Sequence, residues 1–396
     1  MSTSSHTSTP RSLRNVLSLN DFEAQARRKL PRPIYGYIAG AAENEMSLRA
    51  NASAFEHLAF TTRVLRDVSK RSQSVQLFGA RYSSPFGVAP MGIAGMTAHL
   101  GDLKLARAAA RANIASVMSG FSLIPLERVA EAAPGTWFQA YLPGDTERIA
   151  DLVARVARAG FTTLVLTVDI PVSANRENNV RTGFSTPLRP SLRLAWDTLL
   201  RPGWTMQTFM RTVVQQGMPH FENTFAYRGE PILSPNVLRD LSARDQLNWS
   251  HFRQIRKQWK GHLVIKGILS TADAIRAKDN GADGIILSNH GGRQLDGSTS
   301  PMRILAPVID AVGDFPVMVD GGFRRGSDVL KALSIGARMV FIGRPFNYAL
   351  AVAGEQGVAH AISLMREEID RNMAMLGVNE LAELSRDMLV EQSART

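Results

Sequence analysis

The sequence predicts an α/β protein whose main unit is a closed (β/α)8, or TIM, barrel. From about residue 85 onward, short apolar runs alternate with stretches of helical periodicity, which indicates repeated strand-then-helix units and a parallel sheet. Several of the runs are apolar throughout, as expected of strands that are buried on both faces. Eight such units can be counted, and eight is the number that closes a barrel of this class.

The eight predicted strands are separated by loops and helical stretches. In chain order they are FGVAP at 86, ASVMS at 115, WFQAY at 137, TLVLTVD at 163, LVIK at 263, GIILS at 284, PVMVD at 316 and MVFIG at 339. The helical stretch DTERIADLVARVARAG has the clearest boundaries. Asp145 and Thr146 are placed to cap its start, and Gly160 is placed to end it.

We expect a single domain at residues 18–380 with a tail at each end. Residues 1–17 are rich in Ser and Thr, free of acids and without the apolar core of a secretory signal. This composition favours a disordered tail, and a short organelle transit peptide is the alternative. Residues 18–60 are predicted to form helices laid against the barrel, and residues 381–396 a C-terminal tail.

Composition and charge exclude several classes of protein. Of 396 residues, 44% are hydrophobic and 20% are charged, which is the profile of a folded globular protein with a sizeable core. The absence of cysteine excludes disulfides, thiolate metal sites and a cysteine nucleophile. The net charge of +11 favours anionic partners, such as acidic substrates, phosphates, nucleic acid or a lipid surface. No apolar stretch reaches the roughly 20 residues of a membrane-spanning helix, so any membrane contact is expected to be peripheral.

An insertion interrupts the repeat between strand four and helix four, and we place it at residues 185–255. Basic residues and tryptophans together are typical of a segment that lies in a membrane interface, so residues 187–220 are a candidate membrane-binding segment. A lid or a subunit contact is the equally open alternative. In its first half a single acid, Asp197, accompanies the basic and aromatic residues Arg189, Arg193, Trp196, Arg201, Trp204, Phe209 and Arg211.

Reactive side chains collect at the C-terminal ends of the predicted strands, which is where barrels of this class hold their active sites. Any one of these residues could be a cap or a turn residue, but polar residues or glycines at all eight ends are typical of a catalytic site. In order, the ends carry Pro90-Met91-Gly92, Ser119, Gln139 with Tyr141, Thr167 with Asp169, Lys266, Ser288 with His290 and Arg293, Asp320, and Gly343 with Arg344.

The seventh and eighth ends indicate a phosphate site. The stretches DGGFRRGSD at 320 and GRP at 343 combine glycines, which free backbone amides, with Arg324, Arg325 and Arg344. No histidine or carboxylate spacing typical of a metal site is present, and no G-x-S-x-G motif of a nucleophile elbow. Without a basic helix or an aromatic platform, we expect no nucleic-acid partner.

Four motifs closely resemble those of the FMN-dependent L-2-hydroxy-acid oxidase and dehydrogenase family. They are SNHGGRQLDG at 288, KG at 266, LTVD at 166 and DGGFRRGSDVLKALSIGA with IGRP near the C-terminus. The family includes glycolate oxidase, L-lactate dehydrogenase and (S)-mandelate dehydrogenase, and the last is the closest in pattern. The similarity runs from LPRPIYGYIAGAAENE at 30 to the last helix. The resemblance implies an FMN cofactor and oxidation of an L-2-hydroxy acid to the 2-keto acid.

The resemblance also implies a role for each reactive residue. His290 would be the catalytic base, and Asp169 would pair with its protonated form. Arg293, Arg176 and Tyr37 would bind the substrate carboxylate, Tyr141 would contact its hydroxyl or the developing carbonyl, and Lys266 would stabilise the reduced flavin. The residues expected to bind FMN are Pro90, Met91, Gly92, Ser119, Gln139, Thr167, Lys266, Ser288, Asp320, Gly322, Arg324, Gly343 and Arg344.

Two departures from the family pattern bear on the substrate. Gly92 stands where glycolate and lactate oxidases typically carry alanine, which we expect to leave extra space near the flavin. Phe121 stands where glycolate oxidase has a tryptophan that lines the side-chain pocket. Both favour a larger 2-hydroxy acid, either aromatic or long and aliphatic, although lactate stays open.

The insertion resembles the membrane-binding segment of mandelate dehydrogenase, which bears on the electron acceptor. We expect a cytoplasmic protein on the inner face of the membrane that passes electrons to a quinone or another acceptor. An oxidase that uses oxygen and makes hydrogen peroxide is the alternative within the family. A different flavin- or phosphate-binding barrel enzyme is the alternative outside it. The family implies a homotetramer.

Overall fold

Eight parallel strands close into a barrel in the computed structural model, which describes residues 10–185, 187–189, 191–236 and 243–392. Each strand pairs with its neighbours in chain order, and the eighth pairs with the first. The predicted fold class is confirmed. The barrel strands are Phe86–Val88, Ala115–Ser119, Trp137–Ala140, Thr163–Thr167, His262–Ile268, Gly284–Leu287, Val317–Asp320 and Met339–Ile342.

The strands are buried because helices cover their outer faces and side chains fill the barrel. An antiparallel hairpin, Val75–Leu77 with Ala80–Tyr82, packs into the N-terminal end of the barrel. There the indole N–H of Trp137 donates to the hydroxyl of Tyr82 at 3.2 Å. The parallel register places Thr167 beside Lys266 and Ser119 beside Gln139, so polar strand ends meet at the opposite mouth.

One helix follows each barrel strand on the outside. The predicted boundaries of the third helix are confirmed, because the Asp145 carboxylate accepts from two backbone amides of the first turn and Gly160 has a φ of 87°. The helices are Gly101–Arg111, Leu126–Ala132, Thr146–Arg158, Trp249–Gln258, Thr271–Asp279, Pro301–Val312, Gly326–Ile335 and Arg344–Leu376. The last is broken at Gly354, where the backbone leaves helical geometry.

Both tails are shorter than predicted. Leu13 and Val16 are buried against the body of the protein, and the strand Leu389–Glu391 pairs with Leu58–Phe60. The sequence indicated tails because these stretches are short and mixed in polarity, but their few apolar residues are enough to dock them. Residues 1–9 and 393–396 lie outside the described residues.

Three N-terminal helices, Asp21–Lys29, Arg32–Ala39 and Met46–Ser53, lie against the barrel as predicted. The turn between the second and third of these helices, together with the start of the third, contributes to the mouth of the barrel. Ala42 N donates to Gly292 O at 2.9 Å, and Ser47 N donates to the Asp296 carboxylate at 2.9 Å. The N-terminal helices therefore brace the loop that follows the sixth strand.

The insertion ends earlier than residue 255, because the fourth barrel helix already begins at Trp249 with Asn248 as its cap. Residues 186, 190 and 237–242 fall outside the described residues. The elements of the insertion that can be described are Leu192–Leu199, Pro202–Trp204, Thr205–Met210, Arg211–Gln216 and Arg244–Gln246, and the short helix Glu177–Thr182 precedes it. The exposed large apolar side chains of the insertion include Leu192, Trp196, Leu199, Leu200, Met206, Phe209, Met210 and Val214. Among the described helices, none combines the length and the apolar character needed to cross a bilayer.

Candidate active site

A cavity lies at the C-terminal mouth of the barrel. The residues predicted from strand ends and motifs converge on it. Those that line it are Tyr37, Pro90, Met91, Gly92, Phe121, Tyr141, Arg176, Lys266, His290, Arg293, Asp320, Gly322, Arg324, Gly343 and Arg344. The other predicted residues, Ser119, Gln139, Thr167, Asp169 and Ser288, lie behind this lining and contact or adjoin its members.

His290 is held in a fixed orientation at the end of the sixth strand. Its backbone is left-handed, with φ of 58°, and its N–H donates to Ser288 Oγ at 2.9 Å. The ring atom Nδ1 lies 3.0 Å from an Asp169 carboxylate oxygen, and Nε2 lies 3.5 Å from the hydroxyl of Tyr141. Nδ1–H therefore faces the carboxylate, and Nε2 is left to face the cavity.

Electrostatics keep His290 neutral and Asp169 ionised. Burial lowers the pKa of His290, Asp169 opposes this, and Lys266 and Arg176 lower the pKa further, so it lies below the ordinary value. Burial would raise the pKa of Asp169, but His290 and Lys266 outweigh burial and hold it below its ordinary value. A neutral imidazole beside a carboxylate can accept a proton at Nε2.

Two arginines form the cationic side of the cavity. Arg293 Nη1 donates to the carbonyls of Tyr37 and Gly40, each at 2.7 Å, and its guanidinium lies 4.9 Å from the Tyr37 ring centroid. Arg176 Nε donates to Arg293 O at 3.0 Å. Burial, followed by the charge of Arg176, lowers the pKa of Arg293 to about 9. Two neighbouring guanidinium groups, both half-buried, make this side of the cavity a site for an anion.

Lys266 lies on the fifth strand and is charged although it is buried. Its Nζ is 3.0 Å from Asp320 Oδ2 and donates to Ser288 Oγ at 2.8 Å. Burial would lower the pKa of Lys266, but Asp320 and Asp169 together raise it above the ordinary value. The strand ends thus present an ammonium group whose charge is maintained by two carboxylates.

Buried polar atoms without protein partners, in or just behind the cavity wall, fit a flavin. Gln139 Nε2, Thr167 Oγ1 and Asp320 Oδ1 are buried and have no hydrogen-bond partner among the described residues. Buried polar atoms are normally satisfied, so these donors and acceptors are expected to bind a polar group. The ring edge of a flavin, with alternating carbonyl and N–H groups, has the matching chemistry.

The seventh and eighth strand ends fit a phosphate. Gly322 has φ of 90°, and a Cβ there would lie 2.3 Å from Asn51 O, so glycine is required. Burial lowers the pKa of Arg324, and it lowers the pKa of Arg344 to about 10. Freed backbone amides beside two desolvated guanidinium groups are suited to bind the phosphate of FMN.

The expected space beside Gly92 is filled. A Cβ at Gly92 would lie 3.1 Å from Phe121 Cβ and 3.3 Å from the Tyr37 hydroxyl, so these side chains have closed in on the glycine. The prediction of extra room near the flavin at this position is therefore wrong.

Two features of the site were not predicted from the sequence. Arg244, in a turn of the insertion, has its guanidinium 5.6 Å from the Phe121 ring centroid and 6.0 Å from that of Tyr141. Asn51 and Asn289 are buried and exchange amide hydrogen bonds at 2.7 and 2.8 Å beneath the His290 loop. The only sequence feature that could have indicated a role for Asn51 is that it is a polar residue within a short helix. Arg244 does not follow a predicted strand, so the strand-end rule could not identify it.

No group of three potential metal-binding side chains occurs among the residues that the structure describes. The polar groups of the site are instead engaged in ion pairs and hydrogen bonds with one another, or are oriented toward the cavity.

Comparison with known proteins agrees with this arrangement. A family model described as FMN-dependent dehydrogenase matches residues 26–391. The chain is 38% identical over 376 residues to (S)-mandelate dehydrogenase of Pseudomonas putida, covering 95% of this chain and 94% of that protein. It is 40% identical over 385 residues to L-lactate dehydrogenase of Caulobacter vibrioides, covering 96% and 99%.

Solved structures give the same result. The monotopic membrane protein (S)-mandelate dehydrogenase superimposes with a TM-score of 0.90 at 37% identity, over 96% of this chain and 100% of that chain. A mandelate oxidase superimposes with a TM-score of 0.78 at 34% identity, over 95% and 99%. The resemblance predicted from the motifs is confirmed. The chain belongs to the FMN-dependent dehydrogenase family, as an oxidoreductase of the 2-hydroxy-acid dehydrogenase type with FMN as its cofactor.

Proposed function

We propose that the protein oxidises an L-2-hydroxy acid to the 2-keto acid, with His290 as the base. The observation that carries the proposal is the arrangement of His290 Nε2, Tyr141, Arg293 and Arg176 around one cavity, with Asp169 behind the histidine. A 2-hydroxy acid has an anionic group next to a carbon that must lose a proton and two electrons. The cavity offers a cationic side for the first and a neutral imidazole for the proton.

Arg293 and Arg176 bind the substrate carboxylate in this proposal. The hydrogen bonds described for Arg293 to the N-terminal helices use Nη1, so Nη2 and Nε are left for the ligand. A carboxylate bound between these two guanidinium groups gains charge-assisted hydrogen bonds and offsets their mutual repulsion. The Tyr37 hydroxyl lies beside Gly92 and adds a neutral donor.

His290 takes the proton at Nε2, and Asp169 stabilises the imidazolium that forms. The carboxylate 3.0 Å from Nδ1 becomes a full ion pair at that moment, so its interaction is stronger after proton transfer than before. Tyr141 donates to the substrate oxygen, because burial keeps its pKa far above the ordinary value and its hydroxyl stays protonated.

FMN, when bound, supplies the acceptor for the two electrons. We propose that Gln139, Thr167 and Asp320 bind the flavin edge, and that Lys266 offers positive charge where reduction adds negative charge. Pro90, Met91, Gly92, Ser119, Ser288, Gly322, Arg324, Gly343 and Arg344 complete the proposed FMN contacts.

A large side chain is the proposed feature of the substrate. Phe121, Tyr141 and Ile170 give the cavity an apolar part of its wall, in which the rings of Phe121 and Tyr141 lie 4.3 Å apart. Aromatic rings attract an aromatic substituent through stacking and burial of apolar area. This favours a mandelate-like acid, and the 40% identical lactate dehydrogenase keeps smaller acids in the test set.

A quinone is the proposed electron acceptor, reached by association with a membrane surface. The insertion exposes Leu192, Trp196 and Leu199 beside Arg201, a combination that suits the bilayer interface. The structural neighbour described as monotopic supports this placement. We propose that the protein is peripheral and lies on the cytoplasmic face of the inner membrane. We also propose a homotetramer, and light scattering coupled to size-exclusion chromatography tests this oligomeric state.

Anaerobic reduction of the bound flavin tests the reaction. The protein is mixed with glycolate, which is achiral, and with the L and D forms of lactate, 2-hydroxyoctanoate and mandelate, and the loss of flavin absorbance at about 450 nm is followed. One L-acid should bleach the flavin rapidly. Absorbance that returns on mixing with quinone but not with air supports a dehydrogenase, and rapid return in air identifies an oxidase.

The variant His290→Gln is the control for the assignment of the base. It keeps a polar side chain of similar length but removes a group that can take up a full proton. General-base catalysis contributes about 10²–10⁴-fold, so bleaching should slow by at least that range while FMN stays bound. Wild-type bleaching in this variant would overturn the assignment of His290.

A further inference from the structure

A second cavity adjoins the active-site cavity on the side of the insertion. It has a volume of about 460 Å³ and shares four wall residues with the first, namely Tyr37, Phe121, Ile170 and Arg176. Cavities for drug-sized ligands typically enclose about 300–1,000 Å³. The second cavity therefore has room for a whole organic molecule beyond the side chain of a bound 2-hydroxy acid.

The insertion builds the outer wall of this cavity from apolar side chains. Phe184, Leu188, Phe221 and Ile232 line it. Leu188 N donates to Ile232 O at 2.9 Å, which joins the two ends of the wall. The Phe221 ring lies 6.0 Å from that of Phe121, so the wall reaches the edge of the active site. This wall is suited to bind an apolar ring or chain.

The inner end of the cavity carries hydrogen-bond donors. Arg176 and Asn179 lie one helical turn apart, and Arg244 lies over Phe121 on the active-site side. Among the described residues of the wall there is no carboxylate and no lysine. The ligand that fits is apolar over most of its surface and carries hydrogen-bond acceptors at the end nearest the flavin.

We propose that this second cavity binds a lipophilic quinone, which accepts the electrons of the reduced cofactor. A quinone has a flat apolar ring with two carbonyl acceptors, and this matches donors at one end of an apolar cavity. The inference rests on the proposed function, since it places the acceptor of that reaction. In the transfer, FMN returns to its oxidised form, and two electrons with two protons convert both quinone C=O groups to C–OH groups.

The cavity also gives the apolar tail of the quinone a way to the bilayer. Val180, on its wall, is 78% exposed, so the cavity opens to the surface. Leu188 leads within a few residues into the helix Leu192–Leu199, whose Leu192 is 93% exposed. A ring seated beside Phe221 can therefore extend its tail toward the part of the insertion that is proposed to contact lipid.

The test separates the two half-reactions. Leu188→Trp narrows the cavity, and Leu192→Trp, on the exposed helix, is the matched control. Each protein with bound FMN is reduced chemically in detergent and then mixed with a short-tailed ubiquinone analogue or with ferricyanide. We expect Leu188→Trp to slow reoxidation by the quinone about tenfold or more, a loss of about 1.4 kcal/mol, and to leave ferricyanide and the control unchanged.

Reduction by the 2-hydroxy acid is measured on the same variants. Unchanged reduction in Leu188→Trp supports a separate quinone site, whereas slower reduction with unchanged quinone reoxidation would make the cavity a substrate subsite and overturn the proposal. Chemical reduction needs no substrate, so the quinone experiment can succeed even if no acid in the panel bleaches the flavin. Failure of the proposed function is thereby distinguished from failure of this inference.

Labelling gives a readout that does not depend on turnover. A photoreactive azidoquinone is irradiated with the protein, and the labelled peptides are mapped by mass spectrometry. Label on residues 180–188 and 221–232 that an excess of unmodified quinone removes is the expected result. Label confined to other surfaces would overturn the proposal. Asn179→Leu, which removes one donor at similar size, should weaken this labelling about tenfold even if Leu188→Trp does not fold.

Discussion

Replacing Asp169 by Asn should weaken the base and displace its pH dependence. The substitution keeps the shape of the side chain and an oxygen that can accept from His290 Nδ1, but it removes the negative charge 3.0 Å from the ring. The charge matters most once His290 is protonated, because only then do the two groups form an ion pair.

The magnitude follows from the hydrogen bond that loses its charge. A hydrogen bond to a charged group contributes about 1.5–3 kcal/mol, and one pKa unit corresponds to about 1.4 kcal/mol. Without the charge of Asp169, the pKa of His290, already lowered by burial, should fall further. If the same energy is lost from the transition state, turnover falls about 10–150-fold.

The assay is the pH profile of kcat/KM with the L-acid that bleaches the flavin. Activity requires neutral His290, so kcat/KM rises with pH through its pKa. In Asp169→Asn that rise should occur at lower pH and reach a lower plateau. Asp310→Asn, which removes a carboxylate paired with Arg386 away from the cavity, is the control and should leave both unchanged. An unshifted rise with a wild-type plateau in Asp169→Asn would refute the pairing argument.

Three further predictions test the anion sites and the insertion. Arg293→Lys should raise KM with kcat little changed, by about 10-fold or more, because a single ammonium cannot replace the guanidinium contacts; steady-state kinetics check this, and an unchanged KM would remove Arg293 from the substrate site. Gly322→Ala should lower FMN affinity by at least about tenfold, because the added Cβ would lie 2.3 Å from Asn51 O; flavin fluorescence measures the affinity. Gly297→Ala is the control for backbone strain, since Gly297 has φ of 81° and an added Cβ there meets no atom within 4 Å. Replacing residues 187–220 by a short loop should abolish sedimentation with anionic liposomes and preserve flavin reduction, and an intact protein that never sediments would make the insertion a lid or contact surface.

The barrel and most of the site could be predicted because both follow from local rules. A strand buried on both faces must be apolar, and its C-terminal end must carry the chemistry of the fold, so Lys266, His290 and Asp320 were visible as exceptions to apolar runs. The parallel register then brings those exceptions together without further information. The pairing of Asp169 with His290, by contrast, was expected only from the family resemblance and not from these local rules.

The features that could not be predicted depend on pairs of distant residues. Leu13 and Val16 are ordinary apolar residues whose burial is decided by the last helix, more than three hundred residues away along the chain. Arg244 reaches the cavity because the residue before it is fixed in place: Gly144 N donates a hydrogen bond to Ala243 O at 2.7 Å. No sequence pattern indicates this contact. The space beside Gly92 depends on the position of Phe121, which packs against the glycine. A glycine in the sequence does not indicate which side chain will occupy the space that its missing Cβ leaves.

Residues far apart in the sequence meet at the proposed cofactor site, so the site can form only late in synthesis of the chain. Arg344 donates to Ile38 O and Gly40 O, and the eighth strand closes the barrel against the first. Pairings across so great a sequence separation form late, because the intervening chain must first be made and collapse. A ribosome-bound chain that stops short of residue 344 has an open sheet and half a phosphate site. The phosphate site is therefore complete only after residue 344 has been made, and FMN bound there would stabilise the closed barrel.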